Sequence, residues 1–492
     1  MIRTLIHRYG SELIGNIDRQ ILLGWMVAAA LMSSLGWAVL SFPIMTQIVV
    51  LVSILMLMMF FTRPEFSLLV FFALRAVFDL LWWIPGTIVS LNMMELFTGA
   101  VTGMAAILFI LEFKKVDWHP CLKPFVPFVG VLFVAMLRNL ELRAAAEILA
   151  RYISPLLIMF LVSIYFSTRE KRKRMFVVAT AVGILPVTLA IYQLMAGQMS
   201  TYLLAGYFRL LGPYKNLHNH ALMEMFIASM VIFWFFQVKS ERLKLGLAIY
   251  GSAAILCLYL TYVRTALLGL VIFMVIFLKM TNRKNLLWLG AIGLVLFVMA
   301  NPIMQDRFKD MIILFMPDEQ ELARRKLGSG RWGLWSSSLR EYFRYPLGDI
   351  LLGLGLGKHW LLTREYFNPY SVAQHGYVDP HSDYLTMTYQ VGPIASFSYI
   401  AMQMQTFYYS YRVSRLSKDP WSRNFAIFLF ALGATAMFAD TISNAFINRT
   451  TLGWYFWGLA GLMYAEHRQT MRELHEEENL KQVATPAAPA AT

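Results

Sequence analysis

LGLAIYGSAAILCLYLTYVRTALLGLVIFMVIFLK, residues 245–279, carries no charge between its first residue and Lys279 except Arg264. A helix needs roughly 20 apolar residues to cross the hydrocarbon core of a bilayer, so this run is too long for one crossing and suits two, broken near the arginine. In lipid every backbone polar group must be satisfied within its own segment or by closed strand pairing, and so long an unbroken apolar run reads as helix. The alternating segments of about ten residues that would mark a membrane barrel do not occur.

Working outward, the same reading repeats along the chain. Candidate spans fall at about 21–41, 44–62, 65–85, 94–112, 124–138, 145–166, 175–197, 218–238, 245–262, 265–279, 285–301, 384–409, 423–441 and 450–465. The chain has 492 residues, 58% hydrophobic, with a net charge of +14. Its mean hydropathy is +0.56. Soluble domains hold about 45–50% apolar residues, so a soluble enzyme is excluded. The predicted fold is an all-α polytopic membrane protein with about fourteen transmembrane helices.

The positive charge reads as a topology signal, with no nucleic-acid partner expected, because cytoplasmic loops gather Lys and Arg. With the N-terminus inside, the inner loops hold Arg63, the 114–123 lysines, the run Arg169, Lys171, Arg172, Lys173 and Arg174, then Lys239, Arg242 and Lys244. Lys279, Arg283 and Lys284 follow, and then Arg412, Arg415, Lys418 and Arg423. Short outer loops hold only Arg138, Arg143, Arg209, Lys215, Arg264 and Arg449. Both termini are therefore expected in the cytoplasm, with no cleavable signal peptide ahead of the first span. Cys121 and Cys257 lie far apart and form neither a metal pattern nor a disulfide framework.

The implied domains are a cytoplasmic segment 1–20, helices one to eleven over 21–301, a large outer loop 302–383, helices twelve to fourteen over 384–465, and a tail 466–492. The loop is rich in Trp, Tyr, Leu and Gly and reads as folded. Its stretch 331–344, RWGLWSSSLREYFR, predicts a helix with Leu334, Ser338 and Tyr342 on one face. After about residue 470 the tail is charged and then Ala/Pro-rich, which predicts disorder.

Several residues stand out against their settings. Arg264 is an ionisable group at the outer end of two spans; such groups are costly at membrane depth and are usually functional, the bland reading being a side chain that snorkels to the interface. Arg331 by itself reads as an arginine on an exposed helix. In DPHSDYLTMTYQVG, residues 379–392, Ser382 or Asp383 can cap the next helix, and His381 stands at its N-terminus. A helix N-terminus favours a neutral imidazole and a nearby anion, which would suit a base beside a phosphate; a surface histidine near a cap is the alternative. In RLLGPYKNLHNHALMEMF, residues 209–226, His218 and His220 are two apart, a spacing that could hold a metal on a strand, whereas polar anchoring or contacts to a sugar or phosphate need no metal. Arg75 and Asp79, four apart in the third span, can pair within the bundle.

Taken in order, these pieces resemble the O-antigen ligase and O-antigen polymerase superfamily. The resemblance runs over about 205–400: Gly212, Asn216 and Asn219; the outward Arg264; SGRWGLW with Arg331; the turn YPLGDILLGLGLGKHW; and HSDYLTMTYQVG with His381 and Gly392. It implies a GT-C-like membrane glycosyltransferase with one large periplasmic loop, in a bacterial inner membrane. The reaction would be inverting and would need no metal or other cofactor. The implied donor is a glycan on undecaprenyl diphosphate, and the acceptor a second glycan or a lipid A core, with a chain-length regulator as a further partner. By the same resemblance Arg264 and Arg331 would grip the diphosphate and His381 would activate the acceptor hydroxyl. Arg209, Lys215, Asn216, Asn219, Asp383 and Tyr384 are the expected substrate contacts. The long N-terminal half inclines the reading to a polymerase over a ligase. A secondary transporter would show an internal repeat and paired interrupted helices, and neither is evident.

Overall fold

The computed structural model describes residues 58–60, 62–80, 87–88, 91–116, 118–138, 142–197, 200–204, 207–214, 216–286, 331–363, 380–447 and 450–484, with four isolated positions between 288 and 305. The expected span at 21–41, nearly all of that at 44–62, most of that at 285–301, and Lys215 lie outside these residues.

Helices dominate. In chain order they are α1 (Pro64–Leu80), α2 (Met93–Leu111), α3 (Leu122–Leu137), α4 (Leu142–Tyr165), α5 (Arg169–Val182), α6 (Ile184–Met195), α7 (Leu217–Gln237), α8 (Glu241–Leu260) and α9 (Arg264–Met280). Then follow α10 (Arg331–Tyr342), α11 (Leu347–Leu352), α12 (Trp360–Thr363), α13 (Asp383–Val391), α14 (Pro393–Leu416), α15 (Pro420–Ile442) and α16 (Thr450–Ala484). Two short antiparallel hairpins interrupt the all-helical expectation: β1 (Thr87–Ile88) with β2 (Leu91–Asn92), and β3 (Ser200–Leu204) with β4 (Tyr207–Arg209). Both sit between apolar helices.

Among the described residues five helices are long and apolar enough to cross a membrane: Ala144–Tyr165, Arg169–Met195, Leu217–Gln237, Glu241–Leu260 and Pro420–Ile442. The break inside 245–279 falls where the lone charge put it, since α8 ends at Leu260 and α9 starts at Arg264. The run 384–409, read as one span, is two helices. Gly392, at φ +86°, ends α13, and Pro393 opens α14. Proline suits a first helical position because it has no N–H to leave unsatisfied there.

The core runs through the packing of α4 on α16, α7 on α8, and α15 on α14 and α9. Small residues let backbones come close, as helix packing in lipid requires. A Cβ on Gly461 of α16 would lie 2.5 Å from the Met159 carbonyl oxygen of α4. Trp454 of α16 donates to Ser154 Oγ at 2.9 Å. Arg75 of α1 is buried, donates to Thr98 Oγ1 at 3.3 Å and lies over the Trp454 ring, so its role is internal. The side chain of Asp79 lies outside the described residues.

Helix α16 departs most from expectation. It continues to Ala484, through residues whose charge predicted disorder. Three of its acidic side chains have basic partners. Glu466 meets Arg172 at 2.8 Å and Arg169 at 3.3 Å, Glu473 meets Arg169 at 3.2 Å, and Glu477 pairs with Lys418. Arg172, read as one of a run of loop charges, is fully buried and also donates to the Phe166 and Ser167 carbonyls. Helix α15 separates this cluster from the opposite end of the bundle. It has 23 residues, about 35 Å at 1.5 Å per residue.

Candidate functional site

At that opposite end the turn between α8 and α9 presents Arg264. Tyr262 takes a left-handed backbone, φ +53°, an unfavourable conformation for a side chain of its size. Hydrogen bonds hold the turn: Thr261 Oγ1 donates to the Leu258 carbonyl at 2.6 Å and accepts from Val263 N at 3.2 Å. Arg209, at the end of β4, donates from Nε to the Thr261 carbonyl at 2.8 Å, and Leu210 N donates to the Leu260 carbonyl at 3.0 Å. Arg209 thus steadies the turn from which α9 starts. That task was not visible in the sequence.

Helix α10 begins at Arg331 and buries Leu334, Ser338 and Tyr342, the face its spacing predicted. Ser338 Oγ meets Tyr389 OH at 2.8 Å, and Tyr342 OH donates to the Thr388 carbonyl at 3.0 Å, so α10 is fixed along α13. The Gly-rich turn 353–357 covers the end of α13. Leu354 N and Gly355 N donate to the Tyr389 and Gln390 carbonyls at 2.8 and 3.0 Å, satisfying groups that a helix end leaves open. Gly353 is at φ +73°, and a Cβ there would stand 2.4 Å from the Gln390 carbonyl carbon, so only glycine fits. Arg138, after α3, pins the same turn through the Gly353 carbonyl and Asp349.

Arg331 itself is half-buried, and one guanidinium nitrogen donates to the Ile442 carbonyl at the end of α15. Burial pushes its pKa down to about 10, and the positive charge of Arg264 pushes in the same direction. The two arginines, 67 positions apart by their numbers (331 − 264), are therefore electrostatic neighbours. One helical turn after Arg331, Trp335 donates from Nε1 to the Pro380 carbonyl at 2.6 Å. This contact ties α10 to the residue before His381. His381 is half-buried at φ +53°, and Ser382 caps α13 by accepting from Leu385 N. Ser382 Oγ also reaches the Asp440 carbonyl at 3.4 Å. Arg264, Arg331 and His381 thus stand on three segments bound together at one end of the bundle, and Trp335 is a residue of this assembly that sequence reasoning missed.

The remaining candidates divide. Asp383 is fully buried and accepts from Phe446 N at 2.7 Å and Ile447 N at 3.2 Å, holding the segment after α15. Tyr384 OH donates to Gln403 Oε1 at 2.7 Å, and Gln403 Nε2 donates to Asp440 Oδ2 at 2.5 Å. The contacts these two make are within the bundle. Asn216 is exposed and caps α7 by accepting from His218 N at 2.8 Å; Asn219 lies half-buried in the first turn. His218 and His220 lie on a helix, not a strand, and two residues apart on a helix point to different faces. His220 turns inward, with Nδ1 3.5 Å from Glu224 Oε1, both side chains fully buried. Among the described residues no three His, Cys, Asp or Glu side chains gather as a metal set.

Residues 249–400 match the family model described as O-antigen ligase. The matched stretch runs from within α8 to within α14 and contains Arg264, Arg331 and His381. The resemblance to the O-antigen ligase and polymerase superfamily is borne out on this stretch. With the apolar helices it points to a multi-pass membrane protein that is similar over this stretch to O-antigen ligases. No curated protein matches the chain.

Proposed function

We propose that this chain is a glycosyltransferase with a GT-C-like framework, working on the periplasmic face of a bacterial inner membrane. It moves a glycan from undecaprenyl diphosphate to a sugar hydroxyl. The observation that carries this reading is the pair of arginines. Arg331, half-buried and with its pKa lowered first by burial and then by the charge of Arg264, stands with Arg264 at one end of the bundle, a pairing of guanidinium groups that favours an anionic substrate. A diphosphate is such an anion, and the arginine fork matches its oxygens in pairs.

In the proposed step the acceptor oxygen bonds to the anomeric carbon as that carbon's bond to the phosphate oxygen breaks. The configuration inverts. Undecaprenyl diphosphate leaves with the electron pair, and Arg264 and Arg331 stabilise the charge that grows on it. The acceptor proton passes to His381, whose chain position is set by the Trp335 tether and the Ser382 cap. Asn216 and Asn219, at the start of α7, would meet the sugar or phosphate together with Lys215, which lies outside the described residues. The long N-terminal half favours a polymerase, in which the acceptor is another lipid-linked repeat; a ligase acting on a lipid A core is the second form of the same chemistry.

Reporter fusions test the orientation. Fusions after about residues 170, 241, 282 and 416 should read cytoplasmic, and fusions within 302–383 periplasmic. A cytoplasmic result for 302–383 would put the arginine pair on the wrong side for a flipped donor and end this reading.

A further inference from the structure

The stretch between Arg344 and Lys358, YPLGDILLGLGLG, belongs by sequence to the large outer loop, and the proposed transfer uses none of its side chains. Its contacts fix its depth. Arg138, the residue after α3, donates to the Gly353 carbonyl and pairs with Asp349 of α11. Arg138 also closes a stretch, 124–137, that has no polar side chain. Phe133, Val134 and Leu137 of that stretch are exposed, Leu137 by 73%. A helix whose outward side chains are all apolar belongs in lipid. From α11 the chain continues inward. A Cβ on Gly355 would lie 3.8 Å from the Ala135 carbonyl oxygen, within the apolar stretch of α3, and one on Gly357 would lie 3.0 Å from Ile148 Cδ1. Ile148 is four residues inside the candidate span Ala144–Tyr165, about 6 Å along its axis. Tyr152, eight residues inside and about 12 Å along, donates from OH to Gln390 Oε1 at 3.0 Å.

Irregular backbone at membrane depth survives only where protein covers it and its polar groups are paired. Both conditions hold on the inner side. Gly353, Leu354, Gly355 and Leu356 are buried, and Leu354 N and Gly355 N donate to the Tyr389 and Gln390 carbonyls. The other side is uncovered and apolar. Leu347 and Leu351, one turn apart on α11, are 70% and 44% exposed. A Cβ on Gly392 would lie 2.1 Å from the Leu351 carbonyl oxygen, so α11 ends against the start of α14, where Ile394 and Phe397 are exposed too. Through Arg138 the same helix adjoins Leu137. The outward apolar surface of α3 therefore continues across α11 to α14.

We infer that residues 345–357 are a re-entrant segment that enters the bilayer from the side of the outer loop, with Leu347 and Leu351 set against the acyl chains of that leaflet. Asp349 is the one charge in the segment, and Arg138 accompanies it, as an ionisable group at that depth requires. The segment fastens α10, which starts at Arg331, to the membrane surface, because Tyr342 OH bonds both the Ile350 and the Thr388 carbonyls. This arrangement needs α3 and α4 to be membrane helices but no part of the transfer chemistry, so either can fail without the other.

The test is the depth of a nitroxide label, read by power-saturation EPR on the full chain in vesicles of phosphatidylethanolamine and phosphatidylglycerol. Cys121 and Cys257 are buried and should take no label, so the wild-type chain gives the blank. Labels are placed one at a time through Leu347→Cys and Leu351→Cys, with Phe133→Cys as the lipid standard and Arg340→Cys of α10 as the water standard. All four side chains are exposed, so the substitutions leave the core intact. Oxygen collects in hydrocarbon, whereas a polar nickel chelate stays in water. The ratio of oxygen to nickel collisions at 347 and 351 should exceed that at 340 by about tenfold and match that at 133 within about twofold. A ratio at 347 and 351 equal to that at 340 would make the segment an aqueous loop and overturn the inference. Low collision rates with both reagents would show that another segment or a second copy of the chain covers the two leucines, and would overturn lipid as their partner.

Discussion

The two ends of this molecule treat a buried arginine in opposite ways. At one end Arg172 has no exposed surface and is matched to Glu466, also fully buried, at 2.8 Å. At the other Arg331 gives a hydrogen bond to the Ile442 carbonyl, and the charge acting on it is a second arginine, Arg264. The first arrangement is complete in itself. A buried ion pair carries a desolvation cost that its attraction roughly offsets, and removing one partner is strongly destabilising. The second half-buries an arginine and sets a further positive charge beside it, and both push its pKa down. The same side chain thus meets a matched carboxylate at one end and a like charge at the other, the end where the proposed transfer needs an anion. Four variants or treatments break or sharpen this contrast, in order of their expected effect on turnover per folded molecule.

Loss of the proposed base should be the largest. His381→Ala should lower glycan transfer by about 10²–10⁴-fold, the usual contribution of a general base. Binding of the lipid-diphosphate donor should remain largely intact. Purified protein in nanodiscs, with donor binding and transfer measured separately, gives both numbers. Transfer at the wild-type rate would make His381 a helix-end residue only and send the search to His218 and His220.

Next come the outer arginines. Arg331→Ala and Arg264→Ala should each reduce transfer by about 10²–10³-fold, the cost of removing one donor to a developing negative charge. The Lys versions should fall between these and wild type, because lysine keeps the charge and loses the planar fork. Arg331→Ala should not lower the melting temperature, since the like-charge contact with Arg264 is relieved. A fall in stability as large as the fall in rate would mean that Arg331 is structural, and the contrast with Arg172 would disappear.

The inner pair should behave in reverse. Glu466→Ala leaves Arg172 buried without its counterion and should destabilise the fold by about 3–5 kcal/mol. Thermal unfolding in detergent reads this directly. Molecules that remain folded should turn over within about threefold of wild type, since α15 holds the pair about 35 Å from the site. Combining Arg172→Met with Glu466→Leu should recover most of the loss, because an apolar pair removes the desolvation cost with the attraction.

The sequence carried the outer end further than the inner one. Spacing alone located the buried face of α10 at Leu334, Ser338 and Tyr342, and the lone charge in 245–279 located the break at Arg264. Both are local properties, periodicity in one case and interruption of an apolar run in the other. Pairings between distant segments were not legible. By itself Arg331 read as an ordinary surface arginine, and only the family resemblance set it beside Arg264, because the two are far apart in sequence. Arg172 read as one loop charge among five because its partner lies in a stretch whose composition spoke for disorder. Composition reports how a segment would behave alone, and 466–484 is not alone: Arg169, Arg172 and Lys418 face its acidic residues. Gly392 was seen as a motif residue, but its effect on the helix path needed the backbone, where the positive φ ends α13.

The smallest expected effect is also the one that separates two explanations of the outer charges. A divalent metal could neutralise a diphosphate, and two arginines could then be ancillary to it. Arginine forks can instead stabilise the leaving diphosphate themselves, without proton or metal bookkeeping, because guanidinium stays charged at neutral pH even with its pKa lowered to about 10. On the second view EDTA should leave the transfer rate within about twofold, where a metal acting as Lewis acid would contribute several kcal/mol and its removal would be obvious. The measurement is transfer by purified protein before and after chelation, followed by added Mg²⁺ or Mn²⁺. Full loss with recovery on either ion would assign the diphosphate to a metal. The arginine pair would then hold only part of the charge, and the contrast between the two ends would rest on stability alone.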